Sequence, residues 1–172
     1  MTHATTDQDT AASDEPELDA KTRQRMFESA VRMLANREHS CAELEQKLLR
    51  KFGRSFDVEV ASVVAELREH GLVDDQRFIE VLVRSRINRG YGPFYIQQEL
   101  KSKGMSAQRA EEVEAWQDAD WYLLAGDLLE RKFGHDQCAQ EARTWHKAMR
   151  FLQRRGFAGH VVYDVLPDMP KS

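Results

Sequence analysis

Only two cysteines, Cys41 and Cys138, occur in the 172 residues. They stand too isolated for a disulfide framework or a zinc site. No apolar stretch approaches the roughly 18–20 residues needed to span a membrane, so no membrane partner is expected. The first twenty residues contain no apolar run either, so no secretion signal is expected there and the cytoplasm is the expected location. None of the six histidines falls in a His-Glu-x-x-His spacing. Gly90-x-Gly92 is followed by neither a further glycine nor a Lys-Ser/Thr pair, which excludes a phosphate loop. No nucleophile sits in an elbow or triad setting. These gaps leave no catalytic constellation, and neither enzymatic chemistry nor a cofactor is expected.

Charge is missing by region. Residues 1–20 hold six acids and no lysine or arginine; the rest of the chain carries 23 acids against 25 bases, so an overall −4 conceals a body of +2. The Thr/Ala/Asp-rich opening reads as a disordered, solubilising tail. Hydrophobic residues make up 41% and charged residues 31%, against a globular norm of about 45–50% apolar. That balance suits thin helical layers with much exposed surface.

What is present is a repeat. At a step of 52 residues, Leu48, Leu100 and Leu152 recur, each followed three residues later by a base: Lys51, Lys103 or Arg155. Four residues upstream the same step gives Leu44, Ile96 and Ala148, all apolar, and the first two units share Asn36-Arg37 and Asn88-Arg89. A period near 50 means tandem supersecondary units that bury apolar faces partly against their neighbours. Function is then expected on an extended surface, not in one deep pocket.

Every periodic segment is helical in length and pattern. The expected helices are Arg23–Asn36, a second N-capped by Ser40 with Glu43 completing a capping box, and about Phe56–His70. Then come Asp74 to about Arg89, Pro93–Lys103, and Ser106 to about Trp116. The last set runs from near Asp118 through Phe133-Gly134, then about Glu141–Arg155 and Ala158–Leu166. Asp74 and Asp75 are expected to cap a helix start, not to bind metal. The result is an all-α fold of nine helices in three tandem three-helix repeats, forming an elongated, curved array. Its expected divisions are a tail at 1–20, repeats at 21–73, 74–117 and 118–167, and a C-terminal tail at 168–172.

Between Ala142 and Tyr163 there is no acid, whereas Arg143, Lys147, Arg150, Arg154 and Arg155 are all present. The first four follow i, i+4, i+7, i+11 and line one helix face over about 16 Å, with Trp145, Ala148, Met149 and Leu152 opposite. A self-repelling stripe of this kind points to a polyanionic partner. His146 and His160 lie beside it and read as ordinary surface residues. A second patch gathers Arg84, Arg86, Arg89, Lys101 and Lys103 about the Gly90-Tyr91-Gly92 turn, where Tyr91 offers a face to a base or a protein pocket, or simply closes the turn. Lys47, Arg50, Lys51 and Arg54 add to the first unit, diluted by Glu43 and Glu45.

Arg32-Met33-Leu34-Ala35-Asn36-Arg37-Glu38-His39-Ser40, with Glu43-Leu44 and Lys47-Leu48 following, resembles the opening of the RecX family of bacterial recombination regulators. Gly71-Leu72-Val73-Asp74-Asp75-Gln76-Arg77-Phe78 is similar to that family's Gly-hydrophobic-hydrophobic-Asp-Asp-x-x-Phe segment. Gly90-Tyr91-Gly92, Ile96, Glu99-Leu100 and Gly104 match its central stretch, and Arg150-Phe151-Leu152-Gln153-Arg154-Arg155-Gly156-Phe157 its Phe-Leu-x-x-Arg-Gly-Phe segment. The resemblance covers about residues 25–166. It implies three tandem three-helix repeats and a regulator that binds the RecA filament in its helical groove. It also implies suppression of strand exchange, ATP hydrolysis and LexA co-protease activity, and binding to single- and double-stranded DNA. A monomer is expected. The competing reading is a helix-turn-helix-type DNA-binding protein.

Overall fold

The computed structural model describes residues 20–170; the acidic opening segment and its expected disorder lie outside the described residues. Those residues form ten α-helices and no strand. The first unit holds α1 (Ala20–Asn36), α2 (Cys41–Phe52) and α3 (Asp57–Glu69); the second holds α4 (Asp75–Asn88), α5 (Pro93–Ser102) and the short α6 (Glu114–Gln117). The third holds α7 (Trp121–Phe133), α8 (His135–Gln140), α9 (Ala142–Arg154) and α10 (Gly159–Val165). Short 3-10 turns occupy Arg54–Phe56 and Ala107–Ala110.

The 52-residue step marks the same core position three times. Leu48, Leu100 and Leu152 are fully buried, as are Leu44, Ile96 and Ala148. Each pair from one repeat (Leu44 with Leu48, Ile96 with Leu100, Ala148 with Leu152) belongs to a separate apolar cluster, one around Met26–Val73, one around Phe78–Val113 and one around Ala125–Leu166. Trp121 packs against both of the last two clusters. Three small cores in series, not one large one, therefore hold the chain, and each fully buried leucine contributes about 1.5–3 kcal/mol.

The base three residues after each leucine also has a structural task. Lys51 donates to the Ser29 hydroxyl at 2.7 Å inside the first unit. Lys103 instead reaches back to Glu43 of the first unit at 3.6 Å. Arg155 reaches back to the second unit, donating to the Arg89 carbonyl at 2.8 Å and lying 4.6 Å over the Tyr91 ring. A cation without a preceding unit turns inward; those with one bridge to it.

The two seams differ in kind. Between the first and second units the links are mostly charged: Arg77 to Glu38 at 2.6 Å, Lys103 to Glu43, and the Asp75 carboxylate accepting the Cys41 N–H at 2.8 Å. Between the second and third units, backbone lies on backbone. Gly92 N–H donates to Arg155 O at 2.7 Å and Phe94 N–H to Gly156 O at 3.0 Å. A Cβ on Gly92 would sit 2.6 Å from the Gly156 carbonyl, and one on Gly156 (φ +88°) would strike the Tyr95 backbone. Only glycine permits that approach.

Four sequence expectations change. Ten helices replace nine, because α8 intervenes before α9 and anchors itself through buried Cys138. The expected helix over Ser106–Trp116 is a 3-10 turn followed by the one-turn α6. Buried Ala107 and Ala110 stand three residues apart within that turn, one turn of a 3-10 helix, and buried Val113 is the extended residue that precedes α6. Ser40 caps α2 as expected, its hydroxyl accepting the Glu43 N–H at 3.1 Å. The capping box is only half formed, however, since Glu43 turns to Arg37 at 2.5 Å. Asp74 caps α4 through the N–H groups of Gln76 and Arg77, but Asp75 serves α2 of the preceding unit.

Leu100→Ala and Leu152→Ala are each expected to cost about 2–4 kcal/mol in denaturant melts, since each empties a fully buried core position; silence at either would break the repeat alignment. Acid lability follows from Glu43. Burial pushes its carboxyl up, but Arg37, Lys103 and His39 more than offset this and hold it at about 2, against an ordinary 4.5. With the folded value below the unfolded one, this stabilisation is complete above pH 4.5 and drains away as pH falls toward 2. Urea melts across that window should show wild type losing stability more steeply than Glu43→Gln.

Candidate functional site

α9 presents the basic stripe. Arg143, Lys147, Arg150 and Arg154 are all exposed, while Trp145, Ala148 and Leu152 are buried on the opposite side, Phe151 is buried at the flank of the stripe and Met149 is half-buried. The helix is fixed from within: the Trp145 indole N–H donates to Pro167 O at 2.9 Å, and Phe151 stacks edge-on against Phe133 at 5.6 Å. None of the four cations makes an ion pair among the described residues. Their charge faces outward unneutralised.

One further cation joins them. Lys132, at the end of α7, lies 4.1 Å over the Phe151 ring, a cation–π placement. Lys132, Lys147, Arg150 and Arg154 together line a groove of about 460 Å³ floored by Phe133 and Phe151. Sequence reasoning missed Lys132 because it stands outside the acid-free stretch; the adjacent Lys132-Phe133 in a final helical turn was its only local trace. His146 is half-buried, its Nδ1 paired with Ala142 O at 2.7 Å, and His160 is exposed beside Tyr122.

The second patch separates into free and committed residues. Arg84, Arg89 and Lys101 have exposed side chains. Arg86 is committed to Glu99 by two hydrogen bonds of 2.7 Å, which hold its guanidinium pKa up. Lys103 bridges to Glu43 and also lies 5.7 Å over Phe78. Tyr91 is half-buried, stacked on Tyr95 at 4.1 Å and covered by Arg155. These contacts lay the Tyr91 ring against its own turn. Arg155 likewise works at the seam, half-buried over Tyr91 and Phe151.

Among the described residues no group of three His, Cys, Asp or Glu side chains is placed to hold a metal, and no helix is long and apolar enough to cross a membrane. Burial pushes the Cys41 thiol up to about 11, reinforced by Asp75, and raises Cys138 as well, which is the opposite of an activated thiolate. What the chain presents is a tandem array of three-helix units bearing basic outer faces.

Known proteins of that class match it closely. Residues 74–113 match the family model for the second three-helix domain of RecX, and residues 120–166 that for the third. The chain is 43% identical over 136 residues to the regulatory protein RecX of Halorhodospira halophila, covering 78% of this chain and 82% of that one. It is 36% identical over 149 residues to the regulatory protein RecX of Escherichia coli, covering 82% and 89%. The crystal structure of RecX from Lactobacillus salivarius superimposes with a TM-score of 0.70 at 19% identity, over 86% of this chain and 96% of that one. The chain belongs to the RecX family.

Reversing Arg143, Lys147, Arg150 and Arg154 to Glu is expected to leave helicity and melting temperature nearly unchanged, because none of the four reaches the core. A collapse of the far-ultraviolet circular dichroism signal would show that α9 depends on this face for folding.

Proposed function

We propose that this chain regulates the RecA recombinase without chemistry of its own. It would lodge in the helical groove of RecA–DNA filaments and lower strand exchange, ATP hydrolysis and LexA co-protease activity. The observation that carries the reading is the unpaired four-cation face of α9 in a chain whose relatives are regulatory proteins named RecX. Four like charges along about 16 Å of helix repel one another. A polyanion relieves that repulsion and releases its own counterions on binding. DNA within the filament, single- or double-stranded, supplies such a surface, with the free cations Arg84, Arg89 and Lys101 adding contacts from the second unit.

Inhibition by binding alone suffices in this reading. A monomeric array that touches several filament subunits shifts the filament toward the state it binds better, or blocks access to the groove. The alternative of sequence-specific duplex recognition has less support. Gln153 is the single carboxamide on α9, so base edges calling for Asn or Gln pairing find little to meet them there.

Purified protein is expected to slow RecA ATP hydrolysis on single-stranded DNA well below equimolar ratio. In the Glu-reversed α9 variant this inhibition should weaken strongly and lose its dependence on salt between 50 and 200 mM. Unchanged hydrolysis at equimolar wild-type protein would defeat the reading.

A further inference from the structure

The seam between the first and second units carries more positive charge than its carboxylates neutralise. Glu43 is the hub, with Arg37 at 2.5 Å and Lys47 and Lys103 each at 3.6 Å. Lys47 also donates to His39 Nε2 at 2.7 Å, a bond that requires that nitrogen unprotonated. Burial first, then the charges of Arg37 and Lys47, hold this imidazole's pKa below its usual value. His39 therefore adds no charge near neutrality, and one carboxylate is left to serve three cations.

Beside this hub opens a cleft of about 240 Å³, lined by Glu43, Gln46, Lys47, Arg50, Ser102 and Lys103. A neighbouring hollow of about 530 Å³ shares Gln46 and Arg50 with it and is lined further by Leu49, Arg54 and Asp57, so the two form a trough along α2. Arg50 and Arg54 are exposed and make no ion pair among the described residues. The Asp57 carboxylate accepts its neighbouring Val58 N–H at 2.9 Å. Four cations thus face two carboxylates along the trough, and one of those two is already shared three ways.

We propose that this trough is a second binding site, for the phosphodiester backbone of a single nucleic-acid strand, distinct from the α9 face. Lys47 and Arg50 stand about one turn apart on α2 and Arg54 follows just past its end. That places charge along about 10 Å, more than one phosphate group spans and open enough for a chain to pass. Among the described residues no aromatic ring lines the trough, so these residues offer no stacking platform for bases. It grips backbone without reading sequence. Because Lys47 and Lys103 are shared with Glu43, which fastens the first unit to the second, a bound strand competes for the cations that close this seam.

The test is fluorescence anisotropy of the full chain with a labelled oligodeoxythymidylate between 50 and 200 mM salt. The double variant Arg50→Gln/Arg54→Gln is expected to bind more weakly, with its logarithmic salt slope shallower by about 0.7 per lost contact. Glu43→Gln frees Lys47 and Lys103 and is expected to bind more tightly with a steeper slope, a gain that misfolding does not produce. Both effects should persist when Arg143, Lys147, Arg150 and Arg154 are already changed to Gln, which separates this site from the α9 reading. Wild-type affinity and slope in the double variant, or no gain in Glu43→Gln, would overturn the assignment. So would loss of RecA inhibition with oligonucleotide binding intact, since the trough would then receive an acidic protein surface.

Discussion

The contact of Gly92 on Gly156 sets how the second and third units sit together. With no Cβ on either residue, the turn after α4 approaches the end of α9 closely enough for two backbone hydrogen bonds to cross between units. Tyr91 and Arg155 then close over the contact. Side chains elsewhere adapt to that fixed point. Arg155 is held at the seam, which leaves Arg143, Lys147, Arg150 and Arg154 as the outward charges of α9.

Small units explain the weight placed on seams. A three-helix unit buries only one thin cluster, so its stability leans on its neighbours. The chain meets that need in two chemistries. The steric seam between the second and third units is insensitive to ionic strength, while the charged seam between the first and second, built on Glu38–Arg77 and Glu43–Lys103, is screened by salt. Two units joined stiffly and one joined softly make an array that yields mainly at one place.

Much of this was legible in the sequence because it is periodic. Leu48, Leu100 and Leu152 announce three equivalent core positions, and the α9 stripe follows from regular helical geometry acting on a run without acids. What escaped required knowledge of which elements meet. Asp75 looks like the companion of Asp74 at the start of α4 but turns back to the N-terminus of α2. Lys132 joins the α9 groove only because Phe133 packs on Phe151. Lys103 and Arg155 read as free bases at helix ends, yet each has a partner some sixty residues earlier in sequence. The break between the 3-10 turn at Ala107–Ala110 and α6 lies at Val113, an extended residue that no sequence pattern separates from its helical neighbours.

The cap of α5 carries a temporal consequence. No side chain caps its N-terminus; the carbonyl that receives the Phe94 N–H belongs to Gly156, about sixty residues downstream. On a ribosome adding ~5–20 residues per second, α5 emerges several seconds before its acceptor exists. The middle of the protein is therefore finished from behind, and during synthesis the nascent chain carries an open helix end that only its own later portion can close.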